Sequence, residues 1–144
     1  MTGWLLDTNV VSEWTKPRPE AAVVRWLADV DEDRVHISVV TLAELRDGVE
    51  RLAPGRRRAR LDGWLRDDLV TRFEGRILAV DAASADLWGV MLARARTAGR
   101  SVGAMDACVA AIAARHRFVV ATRNVADFAA LGVTTHNPWR PAAV

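Results

Sequence analysis

Apolar residues in this chain gather in short runs that stop on polar clusters, and between those runs they recur at helical spacing. Trp4, Leu5 and Leu6 lead directly into Asp7, Thr8 and Asn9, the pattern of a buried strand ending at a polar edge. A short helix over Val10–Trp14 is expected next. Pro17 and Pro19 punctuate, and Glu20–Leu27 predicts a second helix with an acid near its start, as the helix dipole prefers. Val35–Val40 is rich in β-branched residues and predicts a strand. Thr41 then starts a helix, with Glu44 at capping-box spacing. Pro54 and Gly55 interrupt before Arg56–Phe73, where Leu61, Trp64, Leu65, Leu69 and Phe73 share one side, so a helical hairpin is expected.

The second half repeats the alternation. Ile77–Val80 predicts a strand, Asp81 opens an alanine-rich helix ending near Gly99, and Gly103–His116 predicts another helix. Phe118–Ala121 is a strand, Asp127–Leu131 a helical turn, and Val133–His136 a last short strand. Short apolar strands alternating with helices imply a parallel sheet covered on both faces, with ligand sites at the carboxyl ends of strands. The predicted class is α/β, a three-layer α/β/α sandwich with a parallel sheet and a helical hairpin. Residues 1–144 read as one domain, with a loose tail near 141–144.

Composition narrows the function classes. At 144 residues, 51% hydrophobic and 26% charged, the chain matches a globular domain and not a disordered one. Ala107–Ala114, an uncharged run near the end, is far shorter than the roughly 18 apolar residues a membrane span requires. The opening MTGWLLDTN lacks a basic segment and has Asp7 where an apolar stretch would be needed, so no secretory signal is read. Cys108 is the single cysteine, which excludes a disulfide framework, and a cytoplasmic setting is expected. The cations are 19 arginines and one lysine, Lys16. Residues 1–50 hold 5 basic against 10 acidic groups, net −5, and residues 51–144 hold 15 against 8, net +7. Such asymmetry permits an anionic partner.

Three acids carry candidate chemistry. Asp7 stands at a strand's carboxyl end, where α/β sheets build sites, and also where an N-cap would stand. Glu44 lies in a first helical turn, as a cap or as a ligand. Asp106 sits among Gly103, Ala104, Met105, Ala107 and Cys108, apolar company in which an unpaired carboxylate is costly. Thr122, Arg123, Asn124 and Asp127 follow a further strand end. If Asp7, Glu44 and Asp106 converge, their mutual repulsion is roughly 4 kcal/mol per pair at about 4 Å and an effective dielectric near 20. A divalent cation removes it, and an all-oxygen ligand set favours Mg²⁺ or Mn²⁺ over Zn²⁺.

LLDTNVVSE (Leu5–Glu13), ISVVTLAELRDGV (Ile37–Val49), MDACVAAIA (Met105–Ala113) and VATRNVADF (Val120–Phe128), in this order, resemble the motifs of a PIN domain. The chain is similar to the VapC toxins of bacterial toxin–antitoxin pairs, and THNPW (Thr135–Trp139) resembles the FitB-like branch. The resemblance covers nearly the whole chain. It implies a Mg²⁺-dependent ribonuclease, with Mn²⁺ as a substitute, acting on tRNA or rRNA. It also implies inhibition by a VapB-like antitoxin, a homodimer, and a hetero-oligomer with that antitoxin. Carried over by motif, Asp7, Glu44 and Asp106 are the catalytic, metal-holding acids, with Thr8, Asn9, Thr41 and Thr122 as polar supports. In the family motif a fourth acid stands two residues after the threonine of the last segment, where this chain has Asn124. An amide can ligate through its carbonyl oxygen but adds no charge. Asp127 is the nearest substitute, its other role being a cap for the short helix.

Arg56, Arg57, Arg58 and Arg60 form the densest basic cluster and are the candidate RNA contacts, the alternative being a solvated face. Two other function classes are compatible with parts of the sequence. A PIN-like RNA-binding or regulatory module with weak turnover is kept open by Asn124. Aspartate-based phosphoryl transfer fits less well, because Asn9 stands where that chemistry wants a second acid and Lys16 lies beside Pro17.

Overall fold

A computed structural model describes residues 2–140. Five short strands, β1 (Trp4–Leu6), β2 (Val35–Ser38), β3 (Ile77–Leu78), β4 (Val119–Ala121) and β5 (Thr135–His136), form one sheet in the order β3-β2-β1-β4-β5. Every pairing is parallel, with Leu5 opposite both His36 and Val120. Strand β1 is therefore central, and its carboxyl end is flanked by those of β2 and β4. The loose tail expected near 141–144 lies outside the described residues.

Side-chain alternation along these strands assigns the two faces. Leu5 and Val120 point into a core with Ala107, Cys108, Ile112 and Phe128, whereas Leu6, Ala121, Val35 and Ile37 join Val10, Val23, Leu65, Leu69 and Phe73 on the opposite face. Helices α6 (Ala82–Thr97), α7 (Ala104–His116) and α8 (Val125–Ala130) cover the first face. Helices α1 (Thr8–Ser12), α2 (Ala21–Asp29) and the hairpin serve the second. All seven residues Ala107–Ala113 are buried, so α7 runs through the interior and its alanines let it approach the sheet closely.

The hairpin consists of α3 (Val39–Glu50) and α4 (Arg56–Gly63), continued by a π-helical stretch, Trp64–Leu69, and a last turn, α5 (Val70–Arg72). Ion pairs join its arms, Arg46 to Asp62 at 2.7 Å and Arg58 to Glu50, and Arg46 also pairs with Glu50 of its own helix at 3.3 Å.

Strands β3 and β5 are shorter than expected, at Ile77–Leu78 and Thr135–His136, and three other boundaries moved for identifiable reasons. The β2 strand stops at Ser38, and Val39 and Val40 open the helix, because the Ser38 hydroxyl caps α3 by accepting from the Thr41 N–H at 3.3 Å. Thr41 is thus inside the helix, and the expected capping box with Glu44 does not form. The last helix begins at Val125 with Asn124 at the N-cap, so Asp127 is a first-turn residue and not the cap. Finally, Glu13–Thr15 forms a 3₁₀ turn after α1, and its Glu13 is buried, with Lys16 Nζ at 2.5 Å and the Glu20 N–H at 2.9 Å as partners.

Candidate active site

Residue Asp7 is the pivot. It ends β1, caps α1 by accepting the Thr8 N–H at 2.9 Å, and is held by the Thr122 hydroxyl, which donates to Oδ2 at 2.8 Å. Its two sequence roles, cap and site acid, coexist, since one carboxylate has an oxygen for each. With 5% exposure its burial raises the pKa, the hydrogen bonds from Thr122 and Thr8 oppose that, and the neighbouring Glu44 charge adds to it.

The polar supports take definite positions around it. Thr8 Oγ1 donates to Glu44 Oε1 at 2.7 Å and lies 3.1 Å from Thr41 Oγ1, tying α1 to α3. Asn9 Nδ2 stands 3.4 Å from both Asp7 Oδ2 and Thr122 Oγ1. Asn9 Oδ1 accepts the Arg123 N–H at 3.4 Å, and Thr122 Oγ1 accepts the Asn124 N–H at 3.0 Å. A chain of hydroxyls and amides thus links three strand ends.

Helix α7 brings Asp106 to the same place. Its pKa is pushed up to about 6, first by burial, then by the charges of Asp7, Asp127 and Glu44 in that order. Four carboxylates from four elements therefore share one field. Among the described residues no arginine or lysine forms a salt bridge with Asp7, Glu44, Asp106 or Asp127. Nor do any three of the acidic, histidine or cysteine side chains described close into a ready metal cage. What the arrangement does show is an uncompensated negative cluster of oxygen donors, the donor chemistry of a hard divalent cation. The charge of Asp127 also contributes to raising the Asp106 pKa; Asp127 and Asn124 are both exposed, and Asn124, at the N-cap, makes no capping bond with its side chain.

The basic cluster divides. Arg58 is engaged by Glu50 and by the Leu52 carbonyl. Arg57 lines a groove of about 200 Å³ together with Thr8 and Glu44. Arg60 borders a second groove beside Trp14, Lys16 and Trp64, and Arg56 is exposed.

The PIN domain family matches residues 4–133. This chain belongs to the PIN domain family. Its α/β fold, with a five-strand parallel sheet flanked by helices, agrees with the expectation from sequence. The PIN domain here is similar to the VapC ribonuclease Y4jK of Sinorhizobium fredii, 36% identical over 138 residues, covering 96% of this chain and 99% of that one. It is also similar to Toxin FitB of Neisseria gonorrhoeae, 39% identical over 135 residues, covering 94% and 97%. Among solved structures, FitAB bound to an IR36 DNA fragment superposes with a TM-score of 0.92 at 36% identity, covering 97% of this chain and 98% of that chain. No helix among the described residues is long and apolar enough to cross a membrane.

Sequence reasoning missed two residues beside this site. Glu13 is as buried as the core, and only its place in the LLDTNVVSE run could have marked it. Trp139 packs against the core face that holds Leu6 and Ala121, and the Arg123 guanidinium lies 5.0 Å from its ring centroid, beside the segment that holds Asp7.

Proposed function

We propose that this PIN domain is a metal-dependent endoribonuclease toxin, restrained by a cognate VapB-like antitoxin in a hetero-oligomer, with tRNA or rRNA as the RNA class cut. One observation carries this reading: Asp7, Glu44, Asp106 and Asp127 gather where no described cation pairs with them, and burial first, then the charges of the other three, raise the Asp106 pKa to about 6. The names of the similar proteins, a VapC ribonuclease and a FitB toxin, support the same class.

Asp7, Glu44 and Asp106 are the side chains that would hold Mg²⁺ or Mn²⁺, with Asp127 as fourth acid in preference to Asn124. When bound, such an ion activates water at neutral pH and stabilises the leaving oxygen of a phosphodiester. The protein's own part is positional. Thr122 and the Thr8 N–H fix both oxygens of Asp7, and the Thr8 hydroxyl fixes Glu44, so that two acids from different elements keep one orientation. Arg57, in the groove beside Glu44, is placed to hold an RNA phosphate without reading a base. A homodimer and a cytoplasmic location complete the proposal.

The test is cleavage of total tRNA and rRNA by the purified protein with Mg²⁺, Mn²⁺ or EDTA. Cleavage with either metal, lost in EDTA and in Asp7→Asn, is expected; equal cleavage by Asp7→Asn would overturn it. A non-cleaving RNA-binding module would instead show metal-independent binding and no products.

A further inference from the structure

A further, cationic cavity includes Arg123, whose backbone is bonded to Asn9 of the site. It measures about 420 Å³ and is lined by Glu20, Arg123, Val125, Asn137, Trp139 and Arg140, a size within the ~300–1,000 Å³ that small-molecule sites occupy. Arg123 joins the two places. Its backbone N–H reaches Asn9 Oδ1, which belongs to the site, while its guanidinium lies over the Trp139 ring. Neither Arg123 nor Arg140 has a salt-bridge partner among the described residues, unlike Arg46, Arg58, Arg66 and Arg72.

The turn that builds this wall is fixed. Asn137 Oδ1 accepts the Trp139 N–H at 2.9 Å and the Asn137 carbonyl accepts the Arg140 N–H at 3.1 Å. This leaves the Asn137 amide NH₂ as its donor toward a ligand. On the far wall, Glu20 has its own backbone N–H held by the buried Glu13 carboxylate. Two cations, an aromatic ring stacked with one of them, an amide donor and a single carboxylate make an unusual lining. Phosphate suits the arginines, a base plane suits the Arg–Trp stack, and the Glu20 carboxylate accepts from an exocyclic amino group.

We propose that this cavity is a nucleotide subsite: it seats the base and phosphate of the RNA residue adjoining the scissile bond. The subsite rests on the ribonuclease assignment above, and it adds a place where one nucleotide is selected. A nucleotide is favoured over an acidic peptide tail because a peptide would use the arginines but leave the Arg123–Trp139 stack and Glu20 without a role.

The experiment measures a short fluorescein-labelled single-stranded RNA of mixed sequence by anisotropy across a salt series, with Ca²⁺ replacing Mg²⁺, and cleavage kinetics with Mg²⁺. Arg123→Gln and Arg140→Gln, both surface changes, are expected to weaken binding severalfold each. Each should also lower the salt slope by about 0.7, and raise KM more than they lower kcat. Trp139→Leu is expected to weaken binding about tenfold and Trp139→Phe much less; far-UV circular dichroism verifies the fold of each. If Arg123→Gln/Arg140→Gln binds RNA with the parent's affinity and slope while the parent cleaves RNA, the subsite is overturned and the ribonuclease assignment stands. If the variants lose affinity only for an acidic peptide, the cavity is a peptide seat and the subsite is likewise overturned. A parent that neither binds nor cleaves RNA overturns both.

Discussion

The Thr122 hydroxyl donates to Asp7 Oδ2 at 2.8 Å across 115 positions of sequence, with both residues buried. Because Asp7 lies between burial, which raises its pKa, and this bond, which lowers it, removing the donor leaves a buried carboxylate short of one partner. Thr122→Val is expected to destabilise the fold by about 1–3 kcal/mol and to slow RNA cleavage at least tenfold. Thr122→Ser keeps the hydroxyl and should recover most of both. Urea denaturation and initial cleavage rates check it, and equal behaviour of the two variants would remove Thr122 from the site.

For Asp106 the sign of the pH effect is set by its elevated pKa. Between the ordinary aspartate value and about 6 the folded protein holds a proton that the unfolded chain has released, so the metal-free protein becomes less stable as pH rises through that window. The expected loss is on the order of 1–2 kcal/mol once partial solvent exposure is allowed for. Asp106→Asn should flatten this part of the stability profile, melt higher than the parent near neutral pH without metal, and cleave no RNA. Thermal melts in EDTA from pH 4 upward, roughly spanning that window, supply the measurement.

Position 127 is separable from position 124. Since Asp127 is the second charge, after Asp7, that raises the Asp106 pKa, Asp127→Asn should lower that pKa and increase the Mg²⁺ concentration needed for half-maximal cleavage severalfold. Asn124→Asp adds a charge at an exposed N-cap, where an acid suits the helix dipole, and should change the Mg²⁺ requirement little. A reversed pair of results would move the fourth ligand back to 124.

Within the arginine cluster, Arg57 and Arg58 should part company. Arg57→Glu is expected to weaken RNA binding and reduce its salt slope with the melting temperature nearly unchanged, because Arg57 lines the groove shared with Glu44. Arg58→Glu replaces an ion pair and a carbonyl bond at the hairpin base with a repulsion against Glu50, and should chiefly lower stability. Measuring melting and RNA binding for both variants side by side would show whether the roles divide.

Strands β1 and β4 were legible because their apolar runs stop at the polar residue that begins the site, as Leu6 does before Asp7 and Ala121 before Thr122, whereas the apolar run of β2 continues past Ser38 into Val39 and Val40. Helix α7 was equally plain from its unbroken apolar stretch. Capping was misread because Ser38 and Thr41 are both competent caps, and only the tertiary bond of Thr8 to Glu44 shows which role Glu44 takes. The Trp139 cavity was illegible for a different reason: Arg123, Trp139 and Glu20 come from three distant segments, and no period or motif spacing joins them.

The sheet order also has a consequence in time. Strand β1 emerges first, yet it lies between β2 and β4, and β4 is made only after α6 and α7. A ribosome delivers the chain from the amino end at about 5–20 residues per second. For several seconds, then, a growing chain exposes Asp7 and Glu44 with neither Asp106 nor Thr122 in existence. The four acids can share one site only after the fourth strand has been synthesised and inserted and α8, which carries Asp127, has followed it.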